Sequence, residues 1–512
     1  MARILAIDSG LTVTKAVVFG LDGRQLAVTR RNVTQLKPRP RMVERDMNDL
    51  WNQTASAIHA VLGESATDPG DVIGIAATGH GDGIYLLDRQ GLPLGNAILS
   101  LDSRGIDVIS RWQADGTARK SLKLTGQIPH ASAHSTLLEW IRSEEPDRFA
   151  RIGHVLSCKD WLRYCLTGMV GTDRTEASTS FTEVRSQTYS GDALALFGLA
   201  ELQTALPQAD HSAAIVGAVT HEAAAATGLK AGTPVAAGLH DVTASALGIS
   251  AHRSGVIGVV AGTYSINECV AGTPEVDERW FCRNAVAPGY WNCMSISPAS
   301  TTNYDWFLDT FCAAERKIAE AEGSNIHVHL ATEIDAALER PSPIIYHPYL
   351  FGSPMGAAPS ASLLGLRGWH TRGDILAALL EGVVFNHRQH IDALREKFTA
   401  TEVRLTGGAS RNPAVGRLFA DVLGMPVTVT RTDEAAAWGA ALCAGAAVGA
   451  YGSFDADPRD LEDIAITYDP VPARSAHYER RYSAYRDTMI DLASTWDRLN
   501  ALEGLDRGNA DE

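Results

Sequence analysis

The sequence predicts an α/β chain of two domains with similar outlines, facing each other across a cleft. Three observations predict it. At 512 residues the chain is too long for one ordinary core. Each half opens on a hairpin tipped with glycine and threonine: DSGLTVTK at 8–15, and GT at 262–263 between the strand-like runs 255–261 and 264–271. After each hairpin the chain passes through helices and strands in a comparable order. No residue-level repeat is visible, so the duplication is one of topology. The expected domains are 1–245 and 246–512.

In the first half, 4–7 and 15–19 are short apolar runs, and LDGR at 21–24 is a turn before a strand at 25–33. Three antiparallel strands with two tight turns are predicted. The first turn carries Asp8, Ser9, Gly10, Thr12, Thr14 and Lys15, a set that can surround phosphate with amides and hydroxyls while an aspartate faces a magnesium ion. Asp and Gly chosen only for turn geometry is the more frequent reading of one isolated hairpin. The strand at 72–76 leads into ATGHGDG, and the strand at 235–237 leads through GLHD into a helix over VTASALG. This places the Asp241 carboxylate at a strand end, where an N-cap is the ordinary alternative. In the second half, EVRLTGGASRNPAVGRLFADVLG reads as strand, glycine turn and a helix starting near Asn412 and Pro413. The run 375–398 has helical periodicity and reads as core, and AHYERRYSAYRDTMIDLASTWDRL is a further helix.

Composition limits the function. An apolar fraction of 45% and a charged fraction of 21% suit a soluble globular protein. The net charge of −15, with no strongly basic half, argues against a nucleic-acid partner. The longest apolar stretch, AAAWGAALCAGAAVGAY, is short and rich in alanine and glycine, which predicts a buried helix and no membrane span. MARILAIDSG reaches an acid within eight residues and contains no secretory apolar core. Seven cysteines without a CxxC pair suit reduced cytoplasmic thiols. No GxxxxGK[ST] loop and no protein-kinase motif set occur.

Taken in order, DSGLTVTK at 8–15, DSR at 102–104, KDWLRYCLTG at 159–168, GLHD at 238–241, GTYS at 262–265, FGSPMG at 351–356 and LTGGASRNP at 405–413 resemble the carbohydrate kinases of the FGGY family. The resemblance spans nearly the whole chain. It implies the two-lobed actin/hexokinase-like (ribonuclease H-like) fold with an ATP cleft between duplicated domains. It also implies ATP and Mg2+ as cofactors, a small-molecule sugar or polyol as substrate, and a homodimer as the common assembly. By this resemblance Asp8, Thr12, Thr14 and Lys15 meet the ATP phosphates, with Asp8 toward the metal. Gly262 and Thr263 meet the phosphates, and Gly407, Gly408 and Asn412 flank adenosine. Leu11 stands where many relatives carry threonine. His80, Gly81, Asp102, Arg104 and His240 face the sugar, and Asp241 is the base that accepts the proton of the attacking hydroxyl. Taken singly, His80 reads as an ordinary histidine and Asp102 with Arg104 as an exposed ion pair.

Within the family, MVERDMNDLW, LDRQGLPLGNAILSLDSR, RWQADG and LEGVVFNHRQHIDALREKF look closest to the L-xylulose kinase branch. The expected substrate is a ketopentose, L-xylulose before D-xylulose and D-ribulose, with a polyol such as erythritol or an arabitol as the alternative. A nucleotide-gated actin-like binding protein or a sugar sensor without turnover is the reading from another class. It gives no reason for the DxR at 102–104 or for a hydroxyl-directed Asp241.

Overall fold

The computed structural model describes residues 1–508 except 355 and 357, so one position of the FGSPMG motif, Met355, lies outside the described residues. The chain forms two compact units. The first comprises Met1–Ser254, Val270–Met294 and Thr432–Ile464, and the second Gly255–Cys269, Ser295–Arg431 and Ala465–Glu512. The expected boundary at 245/246 thus lies close to the end of the first segment of the first unit. That unit also takes in two later stretches of chain.

The first unit is built on a mixed sheet in the order Ile215–Ala218, Pro234–Ala236, Val72–Gly79, Arg3–Ser9, Val13–Gly20 and Gln25–Asn32, with Leu239–His240 also pairing Val72–Gly79. The three expected antiparallel strands are its last three members. Arg3–Ser9 runs antiparallel to Val13–Gly20, with Asp8 opposite Lys15, and parallel to Val72–Gly79. Side chains alternate across the sheet. Leu5, Ile7, Ala16 and Val18 therefore enter one core with Leu50, Ile58 and Val61 of the helix Met47–Glu64. Ile4, Ala6, Val17 and Phe19 enter the opposite core with Trp438, Leu442 and Cys443 of the helix Ala435–Ala447. That helix is the alanine-rich stretch, and it is buried.

Two glycines decide how the helix Asp241–Gly248 lies. A Cβ on Gly248 would stand 2.0 Å from the Ala435 carbonyl oxygen, and one on Gly439 would stand 2.0 Å from that of Ala244. The two helices cross backbone to backbone, at a distance no larger residue permits. This contact sets the position of the helix that begins with Asp241.

In the second unit, Val256–Ala261 pairs antiparallel with Ser265–Ala271 and parallel with Glu402–Thr406. Val427–Thr430 and Ala465–Tyr468 extend the sheet. The long helix Arg372–Arg395 is buried along most of its length, and Glu381 on it accepts from Arg481 of the C-terminal helix. Among the described residues no helix is long and apolar enough to cross a membrane, and all seven cysteines are free.

Candidate active site

The first loop is organised around one ammonium. Lys15 Nζ donates to Asp8 Oδ2 at 3.1 Å and to Glu434 Oε2 at 2.8 Å, and Glu434 also accepts from Arg30. Burial opposes the charge on Lys15, but Asp8 and Glu434 outweigh it and raise the ammonium above its ordinary value. Arg45, fully buried, donates to the carbonyls of Gly10 and Leu11 and so braces the turn. Thr12 is exposed on that turn. Thr14 is a correction to the expected phosphate contacts. It is fully buried, with its hydroxyl 2.9 Å from that of Thr54 on the helix Met47–Glu64. Strand alternation turns it into the sheet interior, opposite in sense to Lys15 beside it.

Asp241 is the first residue of its helix and His240 is the cap. The Val242 amide donates to Asp241 Oδ1 at 2.7 Å, and lies 3.3 Å from His240 Nδ1. Asp241 keeps 31% side-chain accessibility. Even so, burial first and the nearby Asp8 carboxylate second push it up to about 7, against the amides of Val242 and Gly81 that favour its ionised form. A carboxylate titrating near neutrality can both accept a proton and release it. His240 lies against Gly81 so closely that a Cβ there would meet Nε2 at 1.8 Å. Only glycine fits. Burial, then Arg283, holds the His240 imidazole down at about 4, and burial, then Arg45, holds His80 at about 3. Both rings are neutral at neutral pH. His80 Nε2 lies 3.1 Å from the Tyr85 hydroxyl, while His80 Nδ1 and His240 Nε2 are buried with no hydrogen-bond partner among the described residues.

Beneath this surface lies a buried charge cluster to which the sequence alone assigns no role. Lys159 pairs with Asp160 at 2.6 Å and Asp173 at 3.0 Å. Asp173 accepts from the Thr175 hydroxyl at 2.8 Å and the Ser212 hydroxyl at 2.7 Å, and Thr175 Oγ1 accepts the His240 amide at 2.9 Å. The cluster fixes the strand end that carries His240 and Asp241. The signal for it was KDWLRYCLTG, where a lysine and an aspartate face inward on a helix.

Asp102 and Arg104 form a pair, but a buried one, which corrects the exposed alternative. Arg104 Nε and Nη2 fork onto Asp102 at 2.9 and 2.8 Å, and Nη2 also donates to Glu44 Oε1 at 2.7 Å. Asp102 further accepts the Val43 amide at 2.7 Å. Nη1 of Arg104 remains buried without a partner among the described residues.

In the second unit, Gly262 and Thr263 form the tip of the hairpin, Thr263 exposed. The Thr301 amide and hydroxyl donate to the Gly262 carbonyl, and the Thr302 hydroxyl donates to that of Thr263. Gly407 has φ 104° and lies against the Ala261 carbonyl, Gly408 has open space where a Cβ would stand, and Asn412 caps the helix Pro413–Leu423 by accepting the Ala414 amide at 2.9 Å. The strand, turn and helix expected at 402–423 are present.

A two-domain chain with these motifs belongs to a described class. Residues 3–248 match the N-terminal domain and residues 258–448 the C-terminal domain of the FGGY family of carbohydrate kinases. The chain belongs to this family, and it is an ATP-dependent sugar phosphotransferase with the two-domain actin/hexokinase-like fold. It is 33% identical to the L-xylulose/3-keto-L-gulonate kinase of Escherichia coli over 95% of this chain and 97% of that one. It is 29% identical to the erythritol kinase of Brucella abortus over 97% of each. Among solved structures it resembles the xylulose kinase of Rhodospirillum rubrum, at TM-score 0.83 and 26% identity, covering 97% of this chain and all of that one. Family membership removes the nucleotide-gated binding protein from consideration.

Proposed function

We propose that this kinase transfers the γ-phosphoryl group of ATP to a ketopentose, L-xylulose, with Asp241 as the base that takes the proton of the attacking hydroxyl. The observation that carries the mechanism is the position and titration of Asp241. It is a carboxylate at a helix start, beside Asp8, tuned to about 7. In phosphoryl transfer the protein contributes positioning and charge stabilisation, and a base of this kind orients and deprotonates the nucleophile. The neutral rings of His80 and His240, each with one free buried nitrogen, are suited to sugar hydroxyls. Arg104 Nη1 offers a donor to a carbonyl oxygen.

Thr12 and Lys15 serve the ATP phosphates, with Gly262 and Thr263. Gly407, Gly408 and Asn412 serve adenosine. The residues fit a magnesium ion that arrives on the nucleotide. Among the described residues no group of three or more acidic, histidine or cysteine side chains could hold a metal alone. Asp8 is close enough to Asp241 to raise it, and Mg2+ commonly takes one or two carboxylates plus substrate phosphates. Asp8 would hold the ion, which would neutralise charge on the phosphates. The enzyme acts in the cytoplasm, where ATP and free sugars meet, and as a homodimer. The L-xylulose reading rests on the 33% identity over nearly full length. The erythritol kinase relative favours a polyol as the second reading. A coupled ADP-release assay across L-xylulose, D-xylulose, both ribuloses, erythritol, the arabitols and glycerol tests both. A strong preference for L-xylulose is expected, and a best rate on erythritol would replace the ketopentose reading.

A further inference from the structure

The hairpin of Phe281–Asn284 and Trp291–Ser297 falls within the matched C-terminal family domain, yet the residues from Val270 to Met294 pack in the first unit. It is fastened there along its length. The Cys282 amide donates to Gly126 O at 2.9 Å, the Asn284 amide to Ser178 Oγ at 3.1 Å and the Trp291 indole to Val184 O at 2.6 Å. This strap delivers Arg283, 3% exposed, to the stretch next to His80 and Gly81. Arg283 Nη2 donates to Asp82 Oδ1 at 3.1 Å and Nε to Gln127 Oε1 at 3.0 Å, while His130 Nε2 stands 3.4 Å from Asp82 Oδ2.

Asp82 is held in an uncommon conformation, with φ 58°, in the left-handed region. Such a backbone persists where the surroundings impose it, and it concentrates at functional sites. Its side chain is 17% accessible while the guanidinium behind it is buried, so what is presented outward is carboxylate oxygen. Burial opposes that charge, but Arg283 and then His130 keep Asp82 well below the usual carboxylate range. Among the described residues, three of the other cations are paired with carboxylates. Lys15 holds Asp8 and Glu434, Arg104 holds Asp102 and Glu44, and Lys159 holds Asp160 and Asp173, while the buried Arg45 faces the carbonyls of the first loop. The neutral imidazoles of His80 and His240 add no positive charge.

Resting on the kinase reading of this same site, we propose that Asp82, held by the Arg283 strap, is a specificity-determining residue that accepts a substrate hydroxyl and restricts the enzyme to uncharged sugars and polyols, rejecting sugar acids. An acid would place its carboxylate against that of Asp82, and discrimination of this kind works by repulsion as much as by fit. The relative from Escherichia coli carries both a neutral sugar and a sugar acid in its name, which makes the two a natural pair for comparison.

The experiment compares kcat/KM for L-xylulose, erythritol and D-xylulose with that for 3-keto-L-gulonate and gluconate, in the wild type, Asp82→Asn and the double variant Asp82→Asn with Arg283→Gln. In the wild type the best neutral substrate should exceed the best acid by about a hundredfold or more. Asp82→Asn removes the repelling charge and uncovers Arg283. It should raise KM for the neutral substrate about tenfold with little change in kcat, and improve the acid-to-neutral ratio about tenfold. The double variant removes the uncovered cation as well, and the gain in acid use should disappear. A sugar acid that equals or exceeds every neutral compound in the wild type would overturn the inference, as would an unchanged ratio in folded Asp82→Asn. Erythritol as best substrate would refute the ketopentose and leave the charge rule standing. A panel in which nothing is turned over would refute both.

Discussion

Replacing Asp241 with asparagine separates catalysis from stability in one residue. The asparagine keeps the shape and an oxygen able to accept the Val242 amide now held at 2.7 Å, so the helix start should survive. Without a proton acceptor, kcat should fall by about a hundredfold to ten-thousandfold. The wild-type profile is expected to show kcat/KM falling below pH 7, because Asp241 titrates at about 7. At pH 6 about one enzyme in eleven carries the ionised base, and the variant should lose this acidic limb. Stability moves the other way. The folded value of about 7 lies above the ordinary 3.8, so the folded state binds the proton more tightly than the unfolded chain. The group therefore destabilises progressively as pH rises from about 4 to about 7, and the full penalty persists above that range. Between pH 5 and pH 7 the penalty grows by at most about 2.7 kcal/mol, at about 1.36 kcal/mol per pH unit. Asp241 is nearly a third accessible, so solvent screening reduces that ceiling. Thermal melts should show Asp241→Asn gaining more over wild type at pH 8 than at pH 5. A variant that retains a tenth of wild-type kcat, or that keeps the acidic limb, would refute the assignment of Asp241 as base. A stability gain independent of pH would refute the raised titration.

Asp8→Asn removes the second largest influence raising Asp241, so the acidic limb of any residual activity should move to lower pH, while KM for ATP rises. Gly81→Ala drives a methyl into the His240 ring and should raise KM for the sugar at least about tenfold without unfolding the protein, as checked by circular dichroism and kinetics. Glu434→Gln leaves Lys15 with Asp8 as its remaining carboxylate partner and should weaken ATP binding, read by titration calorimetry, with sugar binding unchanged. Thr14→Val removes a buried hydroxyl pair with Thr54 and should cost about 1 kcal/mol in stability while leaving KM for ATP within twofold. A large rise in that KM would restore Thr14 to the phosphate loop.

The elements of the chain were legible because their signals are local. Apolar runs separated by DSGLTVT and LDGR announced the first three strands. The glycine turn at 407–408 with Asn412 and Pro413 announced a strand, a turn and a capped helix. Residue roles were less legible where strand alternation competes with motif membership. Thr14 belongs to the motif, but its place in Val13–Gly20 sends it into the core, opposite to Lys15. What the sequence concealed were partners distant along the chain. Glu434 meets Lys15 across 419 residues, and Arg283 meets Asp82 across 201. Nothing in the local sequence of either marks it. Asp82 stands inside ATGHGDG, but a backbone at positive φ cannot be seen in a string of letters.

The distant partners share a physical logic. An enzyme of this kind needs carboxylates that stay ionised or titrate near neutrality inside a partly closed site, and each such charge is costly to bury alone. Here the cost is met from behind. Lys15 and Arg283 supply positive charge to Asp8 and Asp82, each drawn from a different stretch of the first unit. Asp241 has no lysine or arginine at hydrogen-bonding distance among the described residues, and its titration rises to about 7. In the proposed mechanism, withholding a cationic partner is what leaves Asp241 able to act as a base. Placing a lysine beside Asp241 would lower its titration and make it a weaker base at neutral pH.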